Sequence, residues 1–442
     1  METKTSTSAH APKKPKHRKK KNPERLVAYT LIAPSLILIL AIAIWPVLQS
    51  FYYSMFDLKL SDPAKSETHL SYEIDLSRYL DTYPFLISGI DKEIGANPQE
   101  ELTAVKEDLT ALDKRLQDNP DIKKNYDLVN DKLMNFEKVE EDTAVVKIDE
   151  ALAKDILKES KEAEETLKNL ELEDEKTITG LANGLKDPIR QPNFIGFQHY
   201  ADNLTDARMW KALSNTMVFT IVSVGFELVI GLAIALLINK AFFGRGLIRA
   251  TILIPWAIPT AVSALMWKFL YDGQNGIIAK IFEEVGLVDK MAYLLTTNTG
   301  AMFSVIFTDV WKTTPYMALL LLAGLQTIPG SLYEAASIDG ASKWKQFTSI
   351  TLPLLKSSLL VALLFRTLDA FRVFDLIFVL TGGGPANSTE TISLLAYKYM
   401  FNQQNFGEGS AISVIVFICV AIISMIFIRF LGRDLLNDGP GK

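Results

Sequence analysis

The sequence predicts an all-α polytopic membrane protein with six transmembrane helices and a helix-rich extracellular insertion between the first two. Of its 442 residues, 49% are hydrophobic, and they are concentrated in long runs rather than spread along the chain. One long polar segment separates the first run from the second, and Lys and Arg collect at particular ends of the runs. Concentrated apolar runs indicate helices that lie in lipid, because only such helices need unbroken apolar sequence.

Six apolar stretches are long enough to cross a bilayer, which takes about 20 residues as helix. They are Leu26–Leu48, Leu213–Ile238, Ile248–Tyr271, Ala301–Leu325, Ser357–Leu380 and Ala411–Leu431. The first follows a basic segment, but it is too long for a signal peptide and lacks a small-residue cleavage pattern, so we expect it to be retained. The predicted domains are an N-terminal tail (1–25), the first span (26–56), an extracellular insertion (57–205), a membrane core (206–432) and a C-terminal tail (433–442).

The placement of Lys and Arg predicts that both termini are cytoplasmic, since cytoplasmic loops are enriched in these residues. Residues 1–25 carry nine Lys or Arg against two Glu, with the basic head at Lys13–Lys21. The other basic positions that then fall inside are Lys240, Arg245, Arg249, Lys343, Lys345, Lys356, Arg429 and Arg433. Six spans with both termini in the cytoplasm place every one of these basic loops on the cytoplasmic side.

The insertion has the pattern of packed helices. Residues 57–200 carry 33 Asp or Glu against 19 Lys or Arg, so the segment suits water rather than lipid. Its apolar residues recur at three-to-four spacing, which is typical of amphipathic helices; they are Leu102, Val105, Leu109, Leu112 and Leu116 in one stripe, and Leu152, Ile156 and Leu167 in another. Asn119-Pro120 interrupts the pattern and favours antiparallel helices. Two interpretations stay open: a solvated spacer, or a docking surface for an extracellular partner, which the length of the segment favours.

Several function classes are excluded by absent motifs. The chain has one Cys, Cys419, and four His, with no H-E-x-x-H spacing, which argues against a disulfide framework and a zinc enzyme. It also has no G-x-x-x-x-G-K-[ST] sequence and therefore no phosphate-binding loop of its own. We expect no catalytic residue, metal site or cofactor in this chain, and no nucleic-acid partner.

The segment Pro329–Leu355 carries the most specific motif. We expect a short helix, a break at Gly340 and a second helix that ends near Pro353. Glu334-Ala335-Ala336 is followed after three residues by Gly340, and after nine more by Ile350-x-Leu352-Pro353. This arrangement resembles the EAA loop of bacterial ABC-importer permeases at every defined position, which is not expected of an ordinary amphipathic connector.

The resemblance implies a type I ABC importer permease that hydrolyses no ATP itself. In that family the loop couples the permease to a separate ATPase, which binds ATP and Mg in two copies beneath a pair of permeases. The second permease would be a homologous subunit. The implied coupling residues are Glu334, Ala335, Ala336, Gly340, Ile350, Leu352 and Pro353.

Two further segments point to the carbohydrate branch. Asp309–Pro329 (DVWKTTPYMALLLLAGLQTIP) and Phe365–Pro385 (FRTLDAFRVFDLIFVLTGGGP) resemble the MalF-like larger permease of maltose, maltodextrin and trehalose importers. The implied substrate is an oligosaccharide, with a maltodextrin-like sugar as first choice. The implied location is the bacterial inner membrane, where a lipid-anchored or periplasmic sugar-binding protein engages the insertion. The enteric maltose permease has two additional N-terminal spans, which we do not expect in this protein.

Polar side chains within the spans are candidate substrate ligands, because they are costly in hydrocarbon unless they face the protein interior. Asp309, Lys312, Thr313 and Tyr316 fall at i, i+3, i+4 and i+7 of span four. On span five the same spacing is repeated by Arg366, Asp369, Ala370 and Val373. By resemblance, both faces align with the sugar site of the maltose permease, although the residue types differ.

The same charges also suit purely structural roles. Asp309–Lys312, Arg366–Asp369 and Arg372–Asp375 are opposite charges at i, i+3 and can neutralise one another. Glu227 in span two either pairs with one of these cations or faces the partner permease. A secondary transporter with its own ion coupling, or a membrane receptor with an extracellular sensing domain, are the alternatives from other classes. The first needs inverted repeats, which the sequence does not show.

Overall fold

The computed structural model describes residues 23–96, 98–240 and 243–437. The predicted basic head Lys13–Lys21 and the last residues of the predicted C-terminal tail lie outside this range. The first span is built from α1 (Pro23–Leu38), a π-helical turn (Ile39–Ile44) and α2 (Trp45–Tyr53). Within it Tyr29–Tyr53 is long and apolar enough to cross a membrane.

The insertion is mainly helical and carries a small sheet. A short 3-10 turn, Pro63–Lys65, precedes the first strand of this sheet. Its elements are β1 (Glu73–Asp75), α3 (Leu76–Ala96), α4 (Glu100–Asp118), α5 (Lys123–Met134), α6 (Glu141–Ala144), β2 (Val145–Lys147), α7 (Glu150–Lys168), α8 (Glu175–Gly184) and β3 (Ile189–Arg190). The strands pair antiparallel in the order β2-β1-β3, with Ile74 opposite both Val146 and Ile189. Strands of two or three residues are too short to show alternation, so the sequence pattern did not predict this sheet.

The predicted apolar stripes form the core of the insertion. All five residues of the α4 stripe are buried, together with Ile156 and Leu167 of α7, while Leu152 is half-buried. The helix α4 ends at Asp118, where the sequence predicts the interruption. Asp149 caps α7 by accepting a hydrogen bond from the backbone N–H of Leu152 at 2.7 Å. These contacts make the insertion a packed unit.

The chain enters and leaves the insertion at adjacent points. Phe56 and Phe194 form an antiparallel bridge. The N–H of Asp57 donates to the carbonyl oxygen of Asn193 at 2.8 Å, and the N–H of Ile195 donates to that of Met55 at 2.8 Å. We call this pairing of residues 55–57 with 193–195 the neck.

The membrane core follows the neck as a series of helices. They are α9 (Gln198–Thr205), α10 (Ala207–Asn239), α11 (Arg245–Ile252), α12 (Ile254–Ala257), α13 (Thr260–Leu270), α14 (Ile277–Glu284), α15 (Tyr293–Thr296), α16 (Asn298–Gln326), α17 (Gly330–Ile338), α18 (Lys343–Gln346), a π-helical turn (Phe347–Thr351), α19 (Leu352–Phe371), α20 (Asp375–Leu380), α21 (Ile392–Tyr397), a second π-helical turn (Lys398–Asn402) and α22 (Phe406–Asn437). Three continuous helical stretches here are long and apolar enough to span: Ala207–Asn239, Lys343–Phe371 and Phe406–Phe430. A fifth candidate is α16 with α17, which meet at 69°.

The third predicted span, Ile248–Tyr271, is three short helices rather than one. Pro255 and Pro259 cause the breaks, because proline lacks an N–H and disfavours helical backbone at the residue before it. Ile258, which precedes Pro259, is extended with ψ 133°. The break leaves backbone carbonyl oxygens of this segment free to accept hydrogen bonds from side chains.

Span five also differs from its predicted bounds. Its helix ends at Phe371 rather than at Leu380, and α20 is a separate short helix. The second helix of the 329–355 loop does not end near Pro353 as expected. Instead, it continues through the π-helical turn into α19, and Pro353 is the second residue of α19.

Small residues allow α10, α16 and α19 to pack closely. A Cβ at Gly231 of α10 would lie 2.9 Å from the Cγ of Met317 on α16. One at Gly324 of α16 would overlap the Cβ of Ser358 on α19. Such contacts are typical of helix pairs in membranes, and here they fix the three helices that carry the buried charges.

Candidate translocation site and coupling loop

Arg366 of α19 lies at the centre of a buried ion network. Its guanidinium donates to both carboxylate oxygens of Glu227 on α10, from Nε at 2.5 Å and from Nη2 at 2.8 Å. Nη2 also donates to Asp309 on α16, and Nη1 donates to Asp369 at 3.2 Å. Four of its five N–H groups are therefore used by carboxylates, and only 1% of the side chain is exposed.

The network joins three spans at one level. Thr313 strengthens it, since its hydroxyl lies 2.7 Å from Oε1 of Glu227 and 2.6 Å from the carbonyl oxygen of Asp309. A charge removed from water needs several partners to offset its desolvation. Arg366 has such partners on α10, α16 and its own helix, so it ties these helices together.

Lys312 is held by the broken third span. Its ammonium donates to the carbonyl oxygen of Ile258 at 2.8 Å and to that of Trp256 at 3.4 Å. These carbonyls lie at the Pro259 break, where the helix offers them no N–H partner. The break in the third span therefore supplies the acceptors for the buried cation.

A cavity of about 180 Å³ lies beside these groups. Six of the eight predicted substrate residues line it, namely Asp309, Lys312, Thr313, Arg366, Asp369 and Val373. Tyr316 is not among the lining residues and stacks on Trp256, with ring centroids 5.5 Å apart. Ala370 is buried in the hydrophobic core. Asp369 is 65% exposed and is the most accessible carboxylate of the network, so it can accept hydrogen bonds from a polar solute.

The predicted coupling residues lie on two helices joined by a sharp turn. Glu334, Ala335 and Ala336 are on α17, whose surface is mostly exposed. Gly340 has φ +75°, a conformation that favours glycine. Gln346 is buried at the turn, and its amide donates to the hydroxyl oxygen of Ser337 at 2.9 Å and to the carbonyl oxygen of Ala341 at 3.1 Å.

The second half of the motif begins the next span. Ile350 lies in the π-helical turn and Leu352 and Pro353 in the first turn of α19. The hydroxyls of Tyr333 and Thr351 lie 2.9 Å apart and link the two halves. The loop is therefore a braced hairpin, with an exposed helix directly connected to the span that carries Arg366.

Comparison with known proteins identifies the family. Residues 227–437 match the model of the binding-protein-dependent transport system inner membrane component. The trehalose/maltose transport system permease protein MalF of Thermococcus litoralis is 47% identical over 245 residues, which are 55% of this chain and 82% of that protein. The chain belongs to this family of importer permeases. Such permeases are non-catalytic subunits, so ATP is hydrolysed elsewhere.

A second sequence relative agrees with this assignment. The trehalose transport system permease protein SugA of Mycobacterium tuberculosis is 45% identical over 247 residues, 56% of this chain and 78% of that protein. A chain in the solved structure of a bacterial ABC transporter involved in alginate import is 23% identical in sequence. The structural match covers 54% of this chain and 84% of that chain, with a TM-score of 0.49. The resemblance to ABC-importer permeases of the carbohydrate branch is confirmed by the sequence relatives.

The predicted charge pairs are only partly present in this permease. Arg366 and Asp369 are paired as the spacing predicts. The hydrogen bonds of Lys312 go to backbone carbonyl oxygens and not to Asp309. Of the two alternatives for Glu227, pairing with a cation is the one observed.

Further cavity residues were not predicted from the sequence. Thr260, Arg372, Phe374, Asp375 and Leu376 also line the cavity. Most of them follow the end of α19 at Phe371, within the stretch that the hydropathy pattern assigned to a continuous span. A helix end inside an apolar run leaves no clear compositional signal, so their position could not be read from spacing.

An ion cluster outside the spans was also missed. Glu390, in the loop between α20 and α21, accepts two hydrogen bonds from Arg208, from Nε at 2.8 Å and from Nη2 at 2.9 Å, and one from Lys398 at 2.7 Å. Burial raises the pKa of Glu390, but the hydrogen bonds from Arg208 and Lys398 outweigh it and hold that pKa below its ordinary value. Asn215 donates to the carbonyl oxygens of Asn387 and Glu390, both at 3.0 Å. Partners about 180 residues apart give no local motif.

A second missed pair joins the neck to the last span. Nδ1 of His199 on α9 lies 2.6 Å from Glu408 on α22, and Nε2 lies 3.0 Å from the carbonyl oxygen of Phe56. Both neighbours are acceptors, so both ring nitrogens carry a proton when the two contacts are hydrogen bonds. Burial lowers the pKa of His199, but Glu408 and the Phe56 carbonyl raise it further, and the net pKa is above its ordinary value.

Proposed function

We propose that this chain is the larger permease subunit of an importer for an oligosaccharide, with a maltodextrin-like glucoside as first choice. The observation that carries the proposal is the single cavity lined by six predicted residues from two spans. The trehalose and maltose systems of the relatives support the sugar class.

The cavity chemistry suits sugar hydroxyls. The exposed carboxylate of Asp369 accepts hydrogen bonds from hydroxyl groups, while the cations of Lys312 and Arg372 donate to them. Arg366 has only one free N–H, so it orients Asp369 rather than serving as the main ligand. A neutral, polyhydroxylated solute satisfies both kinds of group without introducing a net charge.

The driving force would come from a separate ATPase. We infer that the hairpin of α17 and α18 docks on this protein, with Glu334, Ala335, Ala336, Gly340, Ile350, Leu352 and Pro353 as the coupling set. Two ATPase copies, which bind ATP and Mg, would act on this chain and a second homologous permease. The direct connection of the hairpin to α19 supports this, because motion of the hairpin is transmitted to the helix of Arg366.

The outer side would receive the sugar from a binding protein. Both termini are proposed to be cytoplasmic, which sets the insertion outside the cell as a docking surface for a lipid-anchored or periplasmic sugar-binding protein. Closure of the ATPase dimer would open the cavity outward, and hydrolysis would reset it inward.

The sugar assignment is tested by Asp369→Asn in the assembled importer, reconstituted in proteoliposomes with the binding protein. Loss of one charge-assisted hydrogen bond should raise the KM for maltotriose or trehalose uptake about tenfold. Asp289→Asn, an exposed carboxylate outside this cavity, is the matched control. Unchanged kinetics in Asp369→Asn would contradict a ligand role, and no uptake of any glucoside by the native complex would contradict the substrate class.

The coupling assignment is tested by Glu334→Lys, with Glu284→Lys as the same change at an exposed position on α14. The first should abolish ATP-driven uptake and copurification of the ATPase, while membrane insertion stays normal. The second should change neither. ATP-independent uptake by the chain alone would instead favour an ion-coupled secondary transporter.

A further inference from the structure

A second cavity lies where α10 ends and the coupling hairpin begins. Its volume is about 600 Å³. It is lined by Leu236, Asn239, Lys240, Leu325, Tyr333, Lys343, Trp344, Gln346, Phe347 and Thr351. None of these residues touches the ion network of Arg366, so this cavity is separate from the translocation site.

The lining combines positive charge with aromatic and aliphatic surface. Lys240 and Lys343 are its two charged residues, and no carboxylate is among the lining residues. The ammonium of Lys343 lies 3.2 Å from Oε1 of Gln346, which holds the cation at the cavity. An occupant that matches this lining carries negative charge at one end and apolar groups at the other.

The cavity lies at the ends of two helices that are long and apolar enough to cross a membrane. One of them ends at Asn239 and the other begins at Lys343, and both of these residues line the cavity. Trp344 is 73% exposed and packs against Phe347, with ring centroids 5.6 Å apart. Exposed Trp beside Lys is typical of residues that contact lipid headgroups.

We propose that this cavity binds the headgroup of an anionic phospholipid. Its phosphate would pair with Lys240 and Lys343, and its glycerol and upper acyl carbons would pack on Trp344, Phe347 and Leu236. Basic pockets between spanning helices are suited to anionic headgroups. Free phosphate shares the charge but leaves the aromatic lining uncovered, so the lipid is the better fit.

The bound lipid would touch three moving parts. Leu236 belongs to α10, Leu325 to α16 and Tyr333 to the exposed helix of the coupling hairpin. A headgroup in this position would join the hairpin to the two helices that hold Glu227 and Asp309. Binding itself does not depend on the proposed transport function, because the site is defined by its charge and its place at the membrane edge.

The test uses the full-length chain in nanodiscs of phosphatidylcholine with an increasing fraction of phosphatidylglycerol, one of the two carrying brominated acyl chains. Quenching of Trp344 is obtained as the difference from Trp344→Phe. Brominated phosphatidylglycerol should quench Trp344 with about thirtyfold higher relative affinity than brominated phosphatidylcholine, as expected from two lysines near a headgroup.

The preference should be lost in Lys240→Gln/Lys343→Gln. It should be kept in Lys345→Gln, which removes a cation on the same helix outside the cavity. Equal quenching by the two lipids, or a preference that survives the double substitution, would overturn the proposal. Displacement by millimolar inorganic phosphate would assign the cavity to a free anion and would overturn the lipid assignment as well.

Discussion

The Arg366 network of the membrane core and the exposed ion pairs of the insertion hold charge in different surroundings. In the core, Arg366 is almost fully buried and its guanidinium is surrounded by the carboxylates of Glu227, Asp309 and Asp369. In the insertion, ion pairs such as Lys106–Asp91 lie at the surface, with side chains 37% and 48% exposed. A buried charge persists only with its partners, whereas a surface charge has water as an alternative. The ion pairs of the Arg366 network are therefore expected to contribute more to stability than exposed pairs such as Lys106–Asp91.

The largest effect is expected from Glu227→Gln. The substitution leaves the Arg366 guanidinium buried with one fewer charged partner and should destabilise the core by about 3 kcal/mol. The melting temperature of the purified permease complex in detergent measures it. If the complex melts at the native temperature, Arg366 does not depend on Glu227 and the contrast between the two regions fails.

A substitution in the hydrophobic core of the insertion should lower the stability of the insertion without affecting the membrane helices. Leu109→Ala removes a buried side chain of the α4 stripe and should cost about 3 kcal/mol, as large-to-small changes do. Hydrogen–deuterium exchange should accelerate in α4 and α7 while α16 and α19 keep their protection. Faster exchange in the membrane helices as well would show that the two regions unfold together.

The pH dependence of the His199 contact should be smaller. Because the folded pKa of His199 lies above its ordinary value, its stabilisation is complete below that ordinary value and is lost as pH rises through the folded pKa. The loss should be about 1.5 kcal/mol, the worth of a hydrogen bond to a charged group. Protection factors at α9 and the first turn of α22, which are normalised for the intrinsic pH dependence of amide exchange, should fall as the pH rises from about 5.5 to about 8.5, on either side of the ordinary histidine pKa.

The charged groups that act on the His199 ring are Glu408 and Asp57, and the side chain of Asn203 donates a hydrogen bond to Glu408. His199→Gln should remove the pH dependence of the protection factors at α9 and α22, because Gln does not titrate. A pH dependence that persists in this variant belongs to another group and contradicts the assignment.

The smallest effect is expected from Asp91→Asn, the surface counterpart of Glu227→Gln. Loss of its pair with Lys106 should cost about 0.5 kcal/mol, as for most exposed ion pairs. Exchange at the facing ends of α3 and α4 measures it. A loss as large as that of Glu227→Gln would mean that exposure does not account for the difference between the regions.

Much of the fold could be predicted because lipid and helix packing leave regular patterns. The apolar runs locate α10, α16 and α22, and the Leu102 to Leu116 stripe locates the buried face of α4. The i, i+3, i+4 spacing of Asp309, Lys312 and Thr313 correctly puts these side chains on one face of α16, where they line one cavity.

The rest could not be predicted because it depends on partners distant in sequence. The pairing of Glu227 with Arg366 joins residues 139 positions apart. The sequence shows that both are charged residues within spans, but not that they pair with each other. The acceptors of Lys312 are backbone carbonyls, which carry no sequence label. The extent of the break in the third span follows from Pro255 and Pro259, whose effect in an apolar run ranges from a kink to a separation into short helices.

The neck affects how insertions can be gained or lost in the evolution of such a protein. Because the backbone at Phe56 lies directly against the backbone at Phe194, the polypeptide could run from one to the other through a short turn without moving the helices that flank the neck. An in-frame gain or loss of the intervening coding sequence would then leave the spans in register. Accessory domains of very different length could be exchanged at this joint, which would let the insertion and the membrane core evolve at separate rates.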